Sequence, residues 1–178
     1  MSQDVQVTRG EYIESNHSVH IAVVDAQGNL LYQLGDPHRL TYPRSSMKPF
    51  QTVPLIESGA ADAYGYGDAE ISLSCASHSG EPIHRHTVLD VLSRAELSED
   101  DLQCGTHIPR DGASYRELIR EGKELTPVFS NCSGKHSGML LTAVHLHEDT
   151  QNYRELEHPH QQRILAVISD VCDIPVDE

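Results

Sequence analysis

The sequence has no run of 18 uninterrupted apolar residues, so no segment of it reads as a membrane-spanning helix. Its opening, MSQDVQVTRGEY, lacks the basic start and apolar stretch of a secretory signal, and a cytoplasmic protein is expected. Positive charge is scarce: 13 basic residues stand against 27 acidic ones, a net charge of −14. A field of that sign repels phosphate backbones, so nucleic acid is not an expected partner, and with no spanning segment neither is a membrane. Lysine is scarcest of all, with only Lys48, Lys123 and Lys135. Such an acidic, lysine-poor surface suits a high-salt cytoplasm and equally an ordinary acidic protein. In a chain that prefers arginine so strongly, each retained lysine is a candidate for work that a permanently charged guanidinium cannot do.

The four cysteines, Cys75, Cys104, Cys132 and Cys172, form no CxxC pair, which excludes a disulfide framework and a self-contained zinc knuckle. Cys75, Cys104 and Cys172 read as small buried hydrophobes. There is no internal repeat and no low-complexity tract. A length of 178 residues with 38% hydrophobic content fits one folded domain spanning 1–178.

What is present alternates between the two regular periods. After a polar leader, residues 20–26 (HIAVVDA) and 30–34 predict a hairpin about a Gln27–Gly28–Asn29 turn. Residues 45–58 predict a helix buried on more than one side, in which Pro49 fits only near the first turn. Residues 71–76 predict a short apolar strand or buried turn, followed by Ser79 as a cap and a helix from Pro82 with the stripe Ile83, Val88, Val91, Leu92 and Ala95. Ser98 opens an acidic turn. Ser114 with Glu117 reads as a capping box for a helix ending at Gly122. Residues 131–138 read as a glycine-rich segment feeding a helix over 139–146, and 160–173 as a last amphipathic helix.

Three segments carry residue types that do chemistry. In Arg44–Ser45–Ser46–Met47–Lys48, a helical turn would bring the Ser45 hydroxyl and the Lys48 amine onto one face. Serine is a poor nucleophile until a base takes its proton, and a buried lysine can be that base, because desolvation disfavours its charged form. Ser–x–x–Lys is also the signature of penicillin-recognising serine enzymes. By itself it is unspecific, since a solvated helix start accounts for it as well. In Ser74–Cys75–Ala76–Ser77–His78–Ser79–Gly80–Glu81, a hydroxyl cluster ahead of a helix offers a polarised serine, Ser77, and backbone N–H donors able to hold an oxyanion. In Asn131–Cys132–Ser133–Gly134–Lys135–His136–Ser137–Gly138, the GKxS look suggests a phosphate loop, but Phe129 stands where its first glycine belongs.

Together RSSMK at 44–48, CASHSGE at 75–81 and NCSGKHSGM at 131–139 resemble the rhizobial-type L-asparaginases of the asparaginase II family, in order and in separation. The resemblance runs over essentially the whole chain. It implies an α/β (α+β) fold, an antiparallel sheet with helices like that of the serine β-lactamases and penicillin-binding proteins. It implies hydrolysis of L-asparagine to L-aspartate and ammonia, with a homodimer as the expected assembly. By motif position it makes Ser45 and Lys48 a first Ser–Lys pair and Ser77 the serine of a second. Arg44 and His136 become substrate-binding residues, and Cys132 and Lys135 become two ligands of a zinc ion. A zinc-bound lysine must be the free amine, the only form with a lone pair to give. In the family the lysine partner of the second serine and the third zinc ligand, a cysteine, come later than Glu178. The chain is therefore expected to be the N-terminal part of such a domain, incomplete at its C-terminus. Lys123, among acidic neighbours, is expected to be a solvated charge.

Other readings stay open at this point. Ser–Lys chemistry suits a glutaminase or an acylase equally. His78, His84 and His86 raise a histidine metal module, although His84 and His86 point apart on a helix and surface histidines explain them more simply. A non-catalytic remnant that only associates with partners is the third.

Overall fold

In the computed structural model, which describes residues 4–176, strands come first in the chain and helices follow. The chain divides at Pro43 into two units. The first unit holds β1 (Asp4–Arg9), β2 (Tyr12–Ser18), β3 (Ile21–Val24) and β4 (Leu30–Leu34) as two separate antiparallel hairpins, β1–β2 and β3–β4. The β3–β4 hairpin lies where the β-branched run predicts it. Its turn is built by the Asp25 carboxylate, which accepts the N–H groups of Gln27 (2.9 Å) and Asn29 (2.8 Å), while Gly28 supplies a φ of 82°. The Asn29 side-chain amide, which donates to Asp25 Oδ2 at 2.9 Å, and then those N–H groups hold the Asp25 carboxyl below its usual range. The polar leader also contains strands, which corrects the sequence reading. Val5 and Val7 alternate with polar residues and are themselves exposed, so no apolar run announces β1, and Gly10 at φ 63° makes its tight turn.

The second unit is helical: α1 (Lys48–Glu57), α2 (Ala60–Ala63), α3 (Asp68–Cys75), α4 (Pro82–Arg94), α5 (Gly112–Glu121), α6 (Ser133–His145) and α7 (Pro159–Cys172). Short 3₁₀ turns lie at Arg44–Met47, Glu99–Asp101 and Pro127–Phe129. The described residues are thus mixed α/β, with small antiparallel sheets and seven α-helices. Pro49 occupies the first turn of α1, the one place its missing N–H costs nothing. Residues 71–76 form the end of α3 rather than a strand; Leu73 and Ser74 point inward and Ser72 and Ala76 outward, a helical rather than an alternating rhythm. At α5 the cap is Asp111, whose carboxylate accepts the Ser114 N–H at 2.6 Å, while Ser114 is buried inside the first turn. Glu81, not Ser79, stands at the cap position of α4, and Ile83 faces solvent while Val88, Val91 and Leu92 are fully buried. Cys75 and Cys104 are half-buried and Cys172 is exposed, so the reading of buried hydrophobes fails for Cys172.

α6 is the central helix, packed against α1, α3 and α4, with Met139, Leu140, Leu141 and Ala143 in the core. The close approach of α3 depends on Gly134. A Cβ there would lie 2.7 Å from both the Leu73 side chain and the Leu73 carbonyl oxygen. Backbone cannot yield as a side chain tip can, so Gly134→Ala should lower stability by about 3 kcal/mol, at the upper end for overpacking. At Gly138 the nearest atom is a flexible Leu55 methyl at 3.1 Å, so Gly138→Ala should cost less than about 1 kcal/mol, offset by its better helix propensity. Urea unfolding of the two variants measures the contrast, and equal costs would contradict this packing.

Candidate active site

Lys48 is the first residue of α1 and is 2% exposed. Its Nζ donates to the carbonyls of Ala76 (2.9 Å) and Asn131 (3.0 Å). Each acceptor comes from one of the other two segments, so one buried amine ties together three stretches that are far apart in sequence. Among the described residues no carboxylate forms an ion pair with it. Two carbonyls engage two of its hydrogens, which leaves one nitrogen valence free for a further partner.

Ser45 lies on the 3₁₀ turn just ahead of α1 and is exposed. The structure does not join Ser45 to Lys48 by a hydrogen bond; the two bonds of the amine go to the carbonyls. Arg44, immediately before Ser45, is exposed and takes a φ of 56°, the left-handed region that costs a side-chain-bearing residue about 1–3 kcal/mol. The backbone is therefore bent sharply where the serine is presented.

Ser77 sits in the irregular stretch between α3 and α4. Its Oγ is buried and among the described residues has no hydrogen-bond partner, in the lining of an open cleft of about 400 Å³ that Ser72, Ala76, His78 and His84 share. Of the N–H groups beside it, that of His78 donates to Asn131 O (3.3 Å) and that of Gly80 to His78 Nδ1 (3.1 Å). Among the described residues the N–H groups of Ser77 and Ser79 have no partner. His78 is buried, against the expectation of a surface histidine, whereas His84 is half-buried and His86 exposed. Among the described residues no three His, Cys, Asp or Glu side chains could together hold a metal.

The third segment is helical earlier than its glycines suggest: α6 begins at Ser133, which puts Lys135 and His136 on its first turn and Cys132 at its cap. Burial lowers the pKa of Lys135, and a helix N-terminus also disfavours positive charge. Cys132 Sγ contacts Asn131 Oδ1 at 3.5 Å. A thiol and an amine three residues apart are donor types that could hold a metal ion. Cys104, unremarkable in the sequence, is electrostatically coupled to both, and burial raises its own pKa. His136 Nδ1 lies 2.7 Å from the Tyr153 hydroxyl, which accepts the Gln103 N–H at 2.8 Å. Tyr153 thus holds the His136 ring through its Nδ1 edge and leaves the Nε2 edge without a bond to the hydroxyl. Burial pushes the His136 pKa down to about 3, which keeps the ring neutral. No local signal in the sequence connects Tyr153 with His136.

A family model for L-asparaginase II matches residues 5–178. The chain belongs to the L-asparaginase II family. Membership supports an amidohydrolase enzyme, and no curated protein matches the chain. No helix among the described residues is long and apolar enough to cross a membrane.

Three histidines of this unit, His136 at about 3 among them, carry a pH dependence with a definite sign. Burial pushes His78 down to about 4, helped by His84 and Lys48, and does the same to His160, helped by Arg163 and His158. Near pH 6.5 the unfolded chain gains protons that the folded one refuses until about pH 4. Stability should therefore be flat above pH 7 and fall between pH 6.5 and 4, by at most about 1.4 kcal/mol per pH unit for each ring. His160 is fully buried, with both ring nitrogens unpartnered among the described residues, so His160→Gln should make the fall shallower. A urea midpoint that did not move between pH 7 and 5 would contradict this.

Proposed function

We propose that this L-asparaginase II family chain hydrolyses the side-chain amide of L-asparagine by Ser–Lys catalysis, on a serine β-lactamase-like fold. The observation that supports it best is the buried Lys48, held by Ala76 O and Asn131 O and paired with no carboxylate among the described residues. In this reading the free amine of Lys48 takes the Ser45 hydroxyl proton, and Ser45 Oγ attacks the amide carbon. The N–H groups of Ser77 and Ser79 suit the resulting oxyanion. Lys48 then returns its proton to the leaving nitrogen, ammonia departs, and water hydrolyses the aspartyl ester on Ser45. Apo geometry is often looser than that of the substrate complex, so the missing Ser45–Lys48 bond does not oppose this sequence of steps.

Ser77, with its unpartnered hydroxyl, is the serine of a second Ser–Lys pair in this proposal. Arg44, exposed beside Ser45, would bind the substrate carboxylate, and the neutral ring of His136 would hydrogen-bond to substrate. Cys132 and Lys135 would hold zinc, whose positive charge, when bound, would strengthen electrostatic attraction for the substrate carboxylate. A cytoplasmic homodimer completes the proposal. Ammonia release from L-asparagine and L-glutamine tests it. A kcat/KM at least about tenfold higher for L-asparagine supports the asparaginase reading; a preference for L-glutamine would transfer the machinery to a glutaminase, and release from neither would remove the function.

A further inference from the structure

His78 has no assigned role in the chemistry above, yet both of its ring nitrogens and its backbone N–H are engaged. Its Nε2 lies 2.8 Å from Ser133 Oγ, and Ser133 Oγ donates its one hydrogen to Val128 O at 3.0 Å. The serine oxygen must therefore accept from the ring, so Nε2 carries the proton. Nδ1 is then bare, and it accepts the Gly80 N–H at 3.1 Å. The two assignments agree on one neutral tautomer. Both His78 and Ser133 are buried, at 5% and 0% exposed.

The backbone connects this ring to the buried amine. The His78 N–H donates to Asn131 O, the same carbonyl that accepts from Lys48 Nζ, and the second Lys48 acceptor, Ala76 O, lies two residues before His78. We infer that His78 is a positioning residue: by bridging Ser133 Oγ to the Gly80 N–H, it fixes the Ala76–Ser77 segment against the start of α6, and so sets the two-carbonyl cradle that aims Lys48. Gly80 is a fixed point of the arrangement, at φ 81° with Pro109 3.1 Å from where a Cβ would lie. A side chain in this place must donate at its far end and accept at its near end. Imidazole does both, glutamine keeps only the far donor and asparagine only the near acceptor.

The inference rests on the Ser–Lys reading for its catalytic consequence, but the cradle can be tested without activity. With only three lysines in the chain, acylation by acetic anhydride followed by peptide mass spectrometry reports each amine separately, with the exposed Lys123 as internal reference. In the purified full-length protein, Lys48 should acylate at least about tenfold more slowly than Lys123. His78→Asn, which loses the bond to Ser133, should speed Lys48 acylation several-fold and lower kcat by about 10–100-fold with KM within about threefold. His78→Gln should stay nearer to the parent in both. Ser133→Ala, which removes the acceptor from the opposite side, should reproduce His78→Asn and serves as the second variant if a His78 change prevents folding. Lys48 acylation unchanged in His78→Asn and Ser133→Ala would overturn the positioning role. A parent that releases no ammonia from any amide would instead remove the Ser–Lys reading, with the labelling result still deciding the cradle.

Discussion

Ser45→Ala should abolish ammonia release from L-asparagine, lowering kcat by at least about four orders of magnitude, and leave thermal unfolding unchanged. Removal of a nucleophile leaves only the residual acceleration of binding and oxyanion contacts, which explains the size of the loss. The unchanged melt follows from the position of the residue: Ser45 is exposed on a short turn, and its hydroxyl carries no core packing. Ser46, its neighbour, controls for the mere loss of a hydroxyl. If Ser45→Ala kept a near-normal rate while Ser77→Ala lost it, the nucleophile would be Ser77, whose Oγ already lines the cleft without a partner.

Lys48→Arg should be as damaging to turnover as Lys48→Ala, because guanidinium keeps its proton at any working pH and cannot serve as a base. It should also be damaging to the fold, which separates it from Ser45→Ala. Lys48 is buried, and its removal leaves Ala76 O and Asn131 O without their donor. An unsatisfied buried acceptor costs about 1–3 kcal/mol, so Lys48→Ala should lower the unfolding free energy by at least that much. Arginine, larger and always charged in a site with no described ion-pair partner, should cost no less. Circular dichroism melts beside the ammonia assay read both effects. A Lys48→Arg variant with near-parental turnover would end the general-base role.

How much of this was legible in the sequence depends on whether the signal was local. The tolerance of Pro49, the helix opened by Pro82 and the β3–β4 hairpin follow from short-range rules and stand where those rules put them, while the helix expected over 45–58 starts at Lys48, after a 3₁₀ turn over Arg44–Met47. Residues 71–76 read as a short apolar strand or buried turn rather than as the end of α3 because ISLSCA offers a short apolar run, and a run of that length does not distinguish a buried helix turn from a strand. The start of α6 was placed late because Gly134 and Gly138 look like loop residues; their reason is close packing against Leu73 and Leu55, which only the fold reveals. The site shows the same division. The spacing of Ser45 and Lys48 marked both residues, but the partners of Lys48 are backbone carbonyls of Ala76 and Asn131, and a carbonyl carries no residue-type signal. His78 was grouped with His84 and His86 for the same reason: its partners Ser133 and Gly80 cannot be chosen from sequence distance.

The most direct test of the Ser–Lys account is to map where an electrophilic asparagine analogue, with a diazoketone in place of the side-chain amide, attaches to the purified protein. The account predicts one adduct, on Ser45, formed in the parent, blocked by excess L-asparagine and absent from Lys48→Arg. An adduct on Cys132 or Ser77 with Ser45 unmodified, or labelling of Ser45 that persists undiminished in Lys48→Arg, would contradict it.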